Sequence, residues 1–265
     1  MKIDEGDLRT RLDFALAVAR ESSELILRYY QDADLTVDLK GDQTPVTAAD
    51  RGAEKLIRER LAVSFSDDGV LGEEFGETPS ANGFRWILDP VDGTKSFVHG
   101  VPLFGTLIGL EFDARMVAGV CRFPALDEVV YAAEGSGTWW QKGNGPPKQS
   151  HVTPLADLSQ ALFCSTTVTG WEKAGRKDAF EKVSHATLLT RGWGDCYGHI
   201  LVATGRADVS IDPIMSPWDI AALIPILQEA GGHHVDWNGN VSIQSSNSLS
   251  VNAALKETVL ELLKP

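Results

Sequence analysis

Cysteine is scarce in this chain: Cys121, Cys164 and Cys196 are its 3 cysteines among 265 residues. They are widely spaced, sit in apolar stretches and form no CxxC pair. That excludes a disulfide framework and a cysteine-built zinc site, and reduced thiols in a cytoplasm are the simplest reading. Long apolar runs are missing as well; no stretch approaches the roughly 18 residues that would cross a bilayer. The start, Met1-Lys-Ile-Asp-Glu-Gly-Asp7, is acidic and leads straight into an amphipathic pattern, unlike a secretory signal or a transit peptide. Positive charge is in deficit, with 24 Lys and Arg against 37 Asp and Glu and a formal net charge of −13. Such a balance argues against non-specific binding to nucleic acid or to an anionic membrane. It also asks whether some of the acids are gathered around a cation.

What is present is a patterned globular chain. Apolar residues recur at helical spacing from Leu8 to Tyr30, which predicts a long first helix. Val37 to Pro45 breaks the period with Gly, Pro and polar residues and reads as a loop. Thr47 is placed to cap a second helix running to about Phe65. Short runs separated by turns between Leu103 and Trp140 predict a meander of mostly antiparallel strands. Lys142-Gly-Asn-Gly-Pro-Pro-Lys148 is a dense turn cluster, and it sets the expected boundary between an N-terminal α+β half, 1–145, and a C-terminal α/β half, 146–265. In the second half strands alternate with helices, including helices near Trp171–His185 and Cys196–Thr204, one from Trp218 to Glu229, and a last one at Leu255–Leu263.

The chemistry concentrates in Asp89-Pro90-Val91-Asp92-Gly93-Thr94, which follows the apolar triplet Trp86-Ile87-Leu88. A strand ending here leaves Asp89 at its C-terminal edge, where α/β folds place ligands. Pro90 fixes the backbone direction, and the Gly93 and Thr94 amides would open a helical turn that attracts an anion. The segment therefore offers carboxylates to a hard cation and amides to an anion, a combination that divalent metal plus phosphate satisfies. Further acids come from Gly72-Glu73-Glu74, from Pro217-Trp218-Asp219 and from Thr47-Ala-Ala-Asp50. Singly, Asp50 and Asp219 read as acids that favour a helix N-terminus.

Gly72-Glu73-Glu74, Asp89-Pro-Val-Asp-Gly-Thr94 and Trp218-Asp-Ile-Ala221, in that order, resemble the inositol monophosphatase superfamily of magnesium-dependent, lithium-sensitive phosphatases. The resemblance covers essentially the whole chain. It implies a layered α-β-α-β-α sandwich, an α+β / α/β fold of the sugar-phosphatase type, and often a homodimer. It further implies that Glu73, Asp89, the Val91 carbonyl and Thr94 surround one Mg²⁺. Asp89, Asp92 and Asp219 would hold a second ion, and Glu73 would help a weaker third. Oxygen donors throughout suit Mg²⁺. By the same resemblance Asp50 and Thr94 form the catalytic pair that orients and deprotonates the attacking water, beside Glu73. Gly93 and Thr94 would bind phosphate. Lys40 and Glu74 are possible further site residues.

Lys95-Ser96-Phe97, Pro102-Leu-Phe-Gly-Thr106 and Gly194-Asp195-Cys196-Tyr197 are similar to the histidinol-phosphatase branch. Gly194, Asp195 and Asp212 are then the candidate substrate contacts. A carboxylate at Asp195, beside the leaving group, favours the protonated amine of L-histidinol phosphate. Asp212 matches the place of a glutamate that contacts substrate hydroxyls in the inositol enzymes and does not discriminate between the two substrates. Two stretches depart from that branch: Ser216-Pro217-Trp218-Asp219 replaces its common Lys-Pro-Tyr-Asp, and Trp193 stands within a usual Gly-Gly. The implied function is Mg²⁺-dependent hydrolysis of a phosphate monoester, with L-histidinol phosphate as substrate. Inositol 1-phosphate or a broad set of esters is the alternative, and a metal- and phosphate-binding protein without turnover is the rival from another class. The scarcity of Cys and His near the motifs speaks against zinc. The six histidines read as structural or exposed.

Overall fold

The helical repeat from Leu8 is realised as α1 (Glu5–Ile26), capped by Asp4, whose carboxylate accepts the Gly6 and Asp7 amides. The computed structural model describes residues 3–39, 41 and 45–264; Lys40 lies outside the described residues. Where the sequence reads as a loop, β1 (Val37–Leu39) pairs antiparallel with β2 (Pro45–Thr47). Runs of three residues are too short to carry a periodicity, which is why the pattern gave no strand signal. Thr47 then caps α2 (Ala48–Ser64) as expected.

An eight-stranded sheet follows, in the order β10-β9-β8-β7-β6-β5-β3-β4. Its strands are β3 (Gly69–Gly72), β4 (Gly76–Thr78), β5 (Phe84–Asp92), β6 (Gly105–Phe112), β7 (Arg115–Phe123), β8 (Glu128–Ala133), β9 (Thr138–Lys142) and β10 (Lys148–Ser150). The meander is β6 to β9, all antiparallel. Between β5 and β6 runs the short α3 (Thr94–Val98). The Gly- and Pro-rich turn at 143–147 joins β9 to β10 within this sheet.

A second, five-stranded sheet is built from β11 (Leu162–Cys164), β12 (Leu189–Arg191), β13 (Val209–Asp212), β14 (Gly232–Val235) and β15 (Ser248–Asn252), ordered β12-β11-β13-β15-β14. Its helices are α4 (Val168–Lys173), α5 (Lys177–Ala186), α6 (Asp195–Ala203), α7 (Pro217–Ala221), α8 (Leu223–Glu229) and α9 (Ala253–Leu262). Two expected helices are divided. Gly175, with φ +67°, ends α4 before α5 begins. The single helix expected from Trp218 to Glu229 breaks at Ala222, because Pro225 has no N–H to give the Ala221 carbonyl and its ring crowds that oxygen.

Packing gives five layers. Apolar residues of α1 and α2, such as Leu8, Val18 and Ile57, bury against Trp86, Leu88 and Val120 on one face of the large sheet. The other face meets α6 and α8 through Leu107, Phe123, Ile200, Leu223 and Leu227. Beyond those helices lies the small sheet, whose outer face packs Phe163, Val209 and Leu249 on Trp171, Val183 and Val259 of α4, α5 and α9. This is the α-β-α-β-α order that the sequence motifs imply.

One contact in this stack matters for the site. Gly109 and Gly119 are cross-strand partners on β6 and β7. A Cβ on Gly109 would lie 2.7 Å from the Ala221 Cβ, and one on Gly119 would lie 2.1 Å from the Ala222 carbonyl oxygen. Only bare backbone admits the α7–α8 junction this close to the sheet, and that closeness carries Asp219 to the end of β5.

Candidate active site

In a regular strand Asp89 and Asp92, three apart, would point to opposite faces. Pro90 has no N–H for the ladder, and the β5–β6 register shifts between Asp89 and Asp92, a bulge of the kind that re-aims side chains. The freed Pro90 carbonyl accepts the Thr106 hydroxyl at 2.8 Å. The bulge turns both carboxylates to one side. There they meet Asp219, and oxygens of Asp89, Asp92 and Asp219 lie within 4.8 Å of one another. Three carboxylates this close are what the crowding in the sequence leads to.

Asp219 and Asp50 each combine a helix-capping contact with a place near the acidic cluster. Asp219 Oδ2 accepts the Ser216 amide at 2.7 Å as part of a capping box and still reaches the acidic cluster. Asp50 Oδ2 accepts the Thr47 amide and hydroxyl at 2.8 and 2.6 Å. Its Oδ1 lies 3.5 Å from the Thr94 hydroxyl, which also donates to the Val91 carbonyl at 3.1 Å. Both acids thus cap a helix start, as their positions in the sequence suggest, and Asp50 does so through Oδ2 while its Oδ1 faces Thr94.

Gly93 takes the left-handed conformation, φ +80°, at the start of α3, and a Cβ there would lie 2.9 Å from the Leu103 carbonyl oxygen. This seat belongs to glycine. Glu73, Asp89, Asp92, Gly93, Thr94 and Asp219 line one cavity of about 580 Å³, together with Gly194 and Asp195. A second cavity of about 260 Å³ shares Asp92, Asp195 and Asp219 with the first and adds Asp212. Glu74 lines neither cavity; its amide is bound by Glu54 at 2.8 Å.

Electrostatics set this region apart from the ordinary acidic surface. Burial first, then the charges of Glu73, Asp92, Asp219 and Asp50, hold the Asp89 carboxyl well above its usual range. Burial and the Asp219 charge push Asp92 up to about 7, against the pull of the Cys196 amide. Asp219 is pushed up to about 7 by burial, with the Ser216 amide opposing and the Glu73 charge adding. Asp195 is raised well above by burial and by the charges of Asp92 and Asp212, while Lys95 pulls it down. Asp50 is raised by burial against its bonds to Thr47. Acids that resist ionisation together, with oxygen donors only, fit a hard divalent cation in place of the missing protons.

A pH dependence follows, with its sign set by the raised values. Between the ordinary Asp value of 3.8 and about 7, the folded chain keeps protons at Asp92 and Asp219 that the unfolded chain releases. Their contribution to stability is thus lost as pH rises through that window and is level above it. In EDTA, Tm is expected to be lower at about pH 8 than at about pH 5.5, and Asp92→Asn should narrow the difference. Thermal unfolding followed by circular dichroism checks it; a Tm that rises with pH by the same amount in both proteins contradicts it.

Glu54 is a neighbour of the site that carried no signal in the sequence. Glu54, fully buried on α2, binds the Glu74 and Phe75 amides at 2.8 and 3.2 Å and the Arg58 guanidinium at 2.7 Å. It thereby fixes the loop that presents Glu73. Gly72 leaves room for it, since a Cβ there would lie 2.0 Å from Glu54 Oε1. Gly72→Ala is expected to cost about 1–3 kcal/mol and lower Tm, as differential scanning calorimetry would show. The Cys196 amide at the start of α6 donates to Asp92 Oδ2. Lys95 lines both cavities.

Residues 7–264 match the model of the inositol monophosphatase family. The chain belongs to that family. It is 47% identical to a histidinol-phosphatase of Chlorobaculum parvum, over 94% of this chain and 95% of that protein. It is 36% identical to a histidinol-phosphatase of Mycobacterium tuberculosis, over 95% of this chain and 97% of that protein. The inositol monophosphatase fold is also seen in the extragenic suppressor protein suhB of Bartonella henselae, which superposes with a TM-score of 0.88 at 28% identity over 96% of this chain and 98% of that one. Among the described residues, no helix of this family member is long and apolar enough to cross a membrane.

Proposed function

We propose that the chain is a Mg²⁺-dependent phosphate monoester hydrolase acting on L-histidinol phosphate. The observation that carries the substrate reading is the second cavity, which shares Asp92 and Asp219 with the acidic cluster and is also lined by Asp195 and Asp212; in this reading it takes the leaving group. A protonated amine gains from those carboxylates, whereas a neutral polyol gains little. The naming of the 47% and 36% identical relatives as histidinol-phosphatases supports the same choice.

In this reading Glu73, Asp89, the Val91 carbonyl and Thr94 would hold one Mg²⁺, and Asp89, Asp92 and Asp219 would hold a second, with Glu73 aiding a weaker third. Bound there, Mg²⁺ supplies Lewis acidity and neutralises charge on the transferring phosphoryl group. The Gly93 and Thr94 amides donate to its equatorial oxygens. The Thr94 hydroxyl orients the attacking water. As the water oxygen bonds to phosphorus and the bond to the ester oxygen breaks, Asp50 Oδ1, next to that hydroxyl, receives the water's proton through it, and the departing alkoxide takes a proton from solvent. The raised affinity of Asp50 for a proton suits a general base. Asp195 and Asp212 hold the ammonium of the leaving alcohol, and Gly194 keeps the wall at the start of α6 thin. Lys40 and Glu74 have no part in this scheme.

The test is phosphate release in Mg²⁺, measured side by side from L-histidinol phosphate, myo-inositol 1-phosphate, fructose 1,6-bisphosphate and adenosine 3′,5′-bisphosphate. The expected result is a clear preference for L-histidinol phosphate. A preference for the inositol ester would overturn the substrate; inactivity on all four would favour a binding protein without turnover.

A further inference from the structure

Behind Asp212 lies a chain of buried polar groups with no part in the scheme above. His199 of α6, and Ser250 and His234 of the two last strands of the small sheet, are all buried. Asp212 Oδ1 accepts the Thr166 amide at 2.9 Å, and Oδ2 lies 3.2 Å from His199 Nε2. His199 Nδ1 is 2.8 Å from Ser250 Oγ, which is 2.9 Å from His234 Nδ1.

With His199 carrying a single ring hydrogen, the hydrogen bonds of this chain run in one direction. A carboxylate only accepts, so His199 Nε2 carries the hydrogen and donates it to Asp212. With one hydrogen on the ring, Nδ1 accepts from the Ser250 hydroxyl, and Ser250 Oγ in turn accepts from His234 Nδ1–H. His234 Nε2 is then a bare lone pair, in agreement with its being a buried nitrogen with no partner. Both Asp212 oxygens thus accept a hydrogen bond from the protein, and the residue lines the cavity of about 260 Å³. Thr166 extends the frame to the other acid, because its hydroxyl accepts the Asp195 amide at 2.8 Å.

We infer that His199, its tautomer fixed by Ser250 and His234, is a positioning residue that aims the Asp212 carboxylate at a protonated amine on the leaving group. The inference rests on the function proposed above. His199 does not touch substrate; it acts through Asp212. A hydrogen bond to a charged acceptor that orients a binding group belongs to the shell whose loss loosens a site without dismantling it.

The experiment compares two esters on the Mg²⁺-loaded enzyme: L-histidinol phosphate, whose leaving group carries an amine, and glycerol 2-phosphate, whose leaving group does not. In His199→Leu the ratio of their kcat/KM values is expected to fall about tenfold, the scale of one hydrogen bond to a charged group. The fall should appear mainly as a higher KM for L-histidinol phosphate. His199→Gln, whose side-chain amide can still donate to Asp212, should restore most of the ratio. If His199→Leu does not fold, Ser250→Ala serves instead, with a smaller fall of the same sign, because it frees the His199 tautomer while leaving the ring in place. Equal losses on both esters, with no rescue by His199→Gln, would mean a merely structural histidine and would overturn the inference alone. A wild-type enzyme inactive on both esters would overturn the proposed function and this inference together.

Discussion

Asp92→Asn is expected to lose Mg²⁺-dependent phosphate release by about 1,000-fold or more, since each 1.4 kcal/mol of lost transition-state stabilisation is about tenfold. The fold should survive. Asparagine keeps an oxygen for the Cys196 amide, which donates to Asp92 Oδ2, and it removes a charge that burial and Asp219 oppose. Without divalent cation the variant is therefore expected to have a Tm equal to or above that of the parent. The two effects have opposite signs, and that separates a ligand from a structural residue. A variant that turned over at near-parental rate in saturating Mg²⁺ would show that Asp92 holds no ion. A variant that was inactive and also unfolded would give the aspartate a structural role that its environment does not support.

Thr94→Ala is expected to lower kcat by about 100- to 10,000-fold, the usual contribution of a positioned proton acceptor. The hydroxyl is the only part of Thr94 that connects with both Asp50, at 3.5 Å, and the Val91 carbonyl, at 3.1 Å. Alanine keeps the backbone amide and the start of α3, so the anion seat remains. Thr94→Ser keeps the hydroxyl and should retain most of the activity. Single-turnover measurements of phosphate release would resolve the chemical step; equal rates for Ala and Ser variants would remove Thr94 and Asp50 from proton transfer. Asp50→Asn is the less informative partner, because Asp50 also caps α2 through Thr47.

The site was legible where covalent spacing alone places groups together. Asp89 to Thr94 is one continuous segment, and its proline, glycine and two aspartates state both the cation and the anion side of the chemistry. Asp50 and Asp219 were legible as helix-terminal acids, and the structure realises those caps. The α1 and α2 helices and the meander from β6 to β9 were readable because each is long enough to show its period. The division at Ala222 was written in Pro225, but a continuous apolar stripe, Ile220, Leu223, Ile224 and Leu227, masked it. All four are buried, because the stripe faces the sheet on both sides of the break.

What stayed hidden depends on tertiary contact. Nothing local to Glu54 tells that its carboxylate will bind a loop twenty residues on. The glycines at 109 and 119 look like any strand glycines until the Ala221–Ala222 junction is packed on them. The bulge that turns Asp89 and Asp92 to one side follows from Pro90, yet its direction is decided by the pairing with β6. The order of layers came from motif resemblance and not from periodicity, which gives the type of an element far better than its neighbours.

The central claim is that carboxylates from three distant segments close around divalent cations at the end of β5. The most direct measurement is the anomalous difference density of a crystal soaked in Mn²⁺, an oxygen-seeking substitute for Mg²⁺. The expected result is strong density among Asp89, Asp92 and Asp219, with Glu73 and the Val91 carbonyl at the adjoining position. Those acids found apart, or together with no anomalous density between them at saturating Mn²⁺, would contradict it.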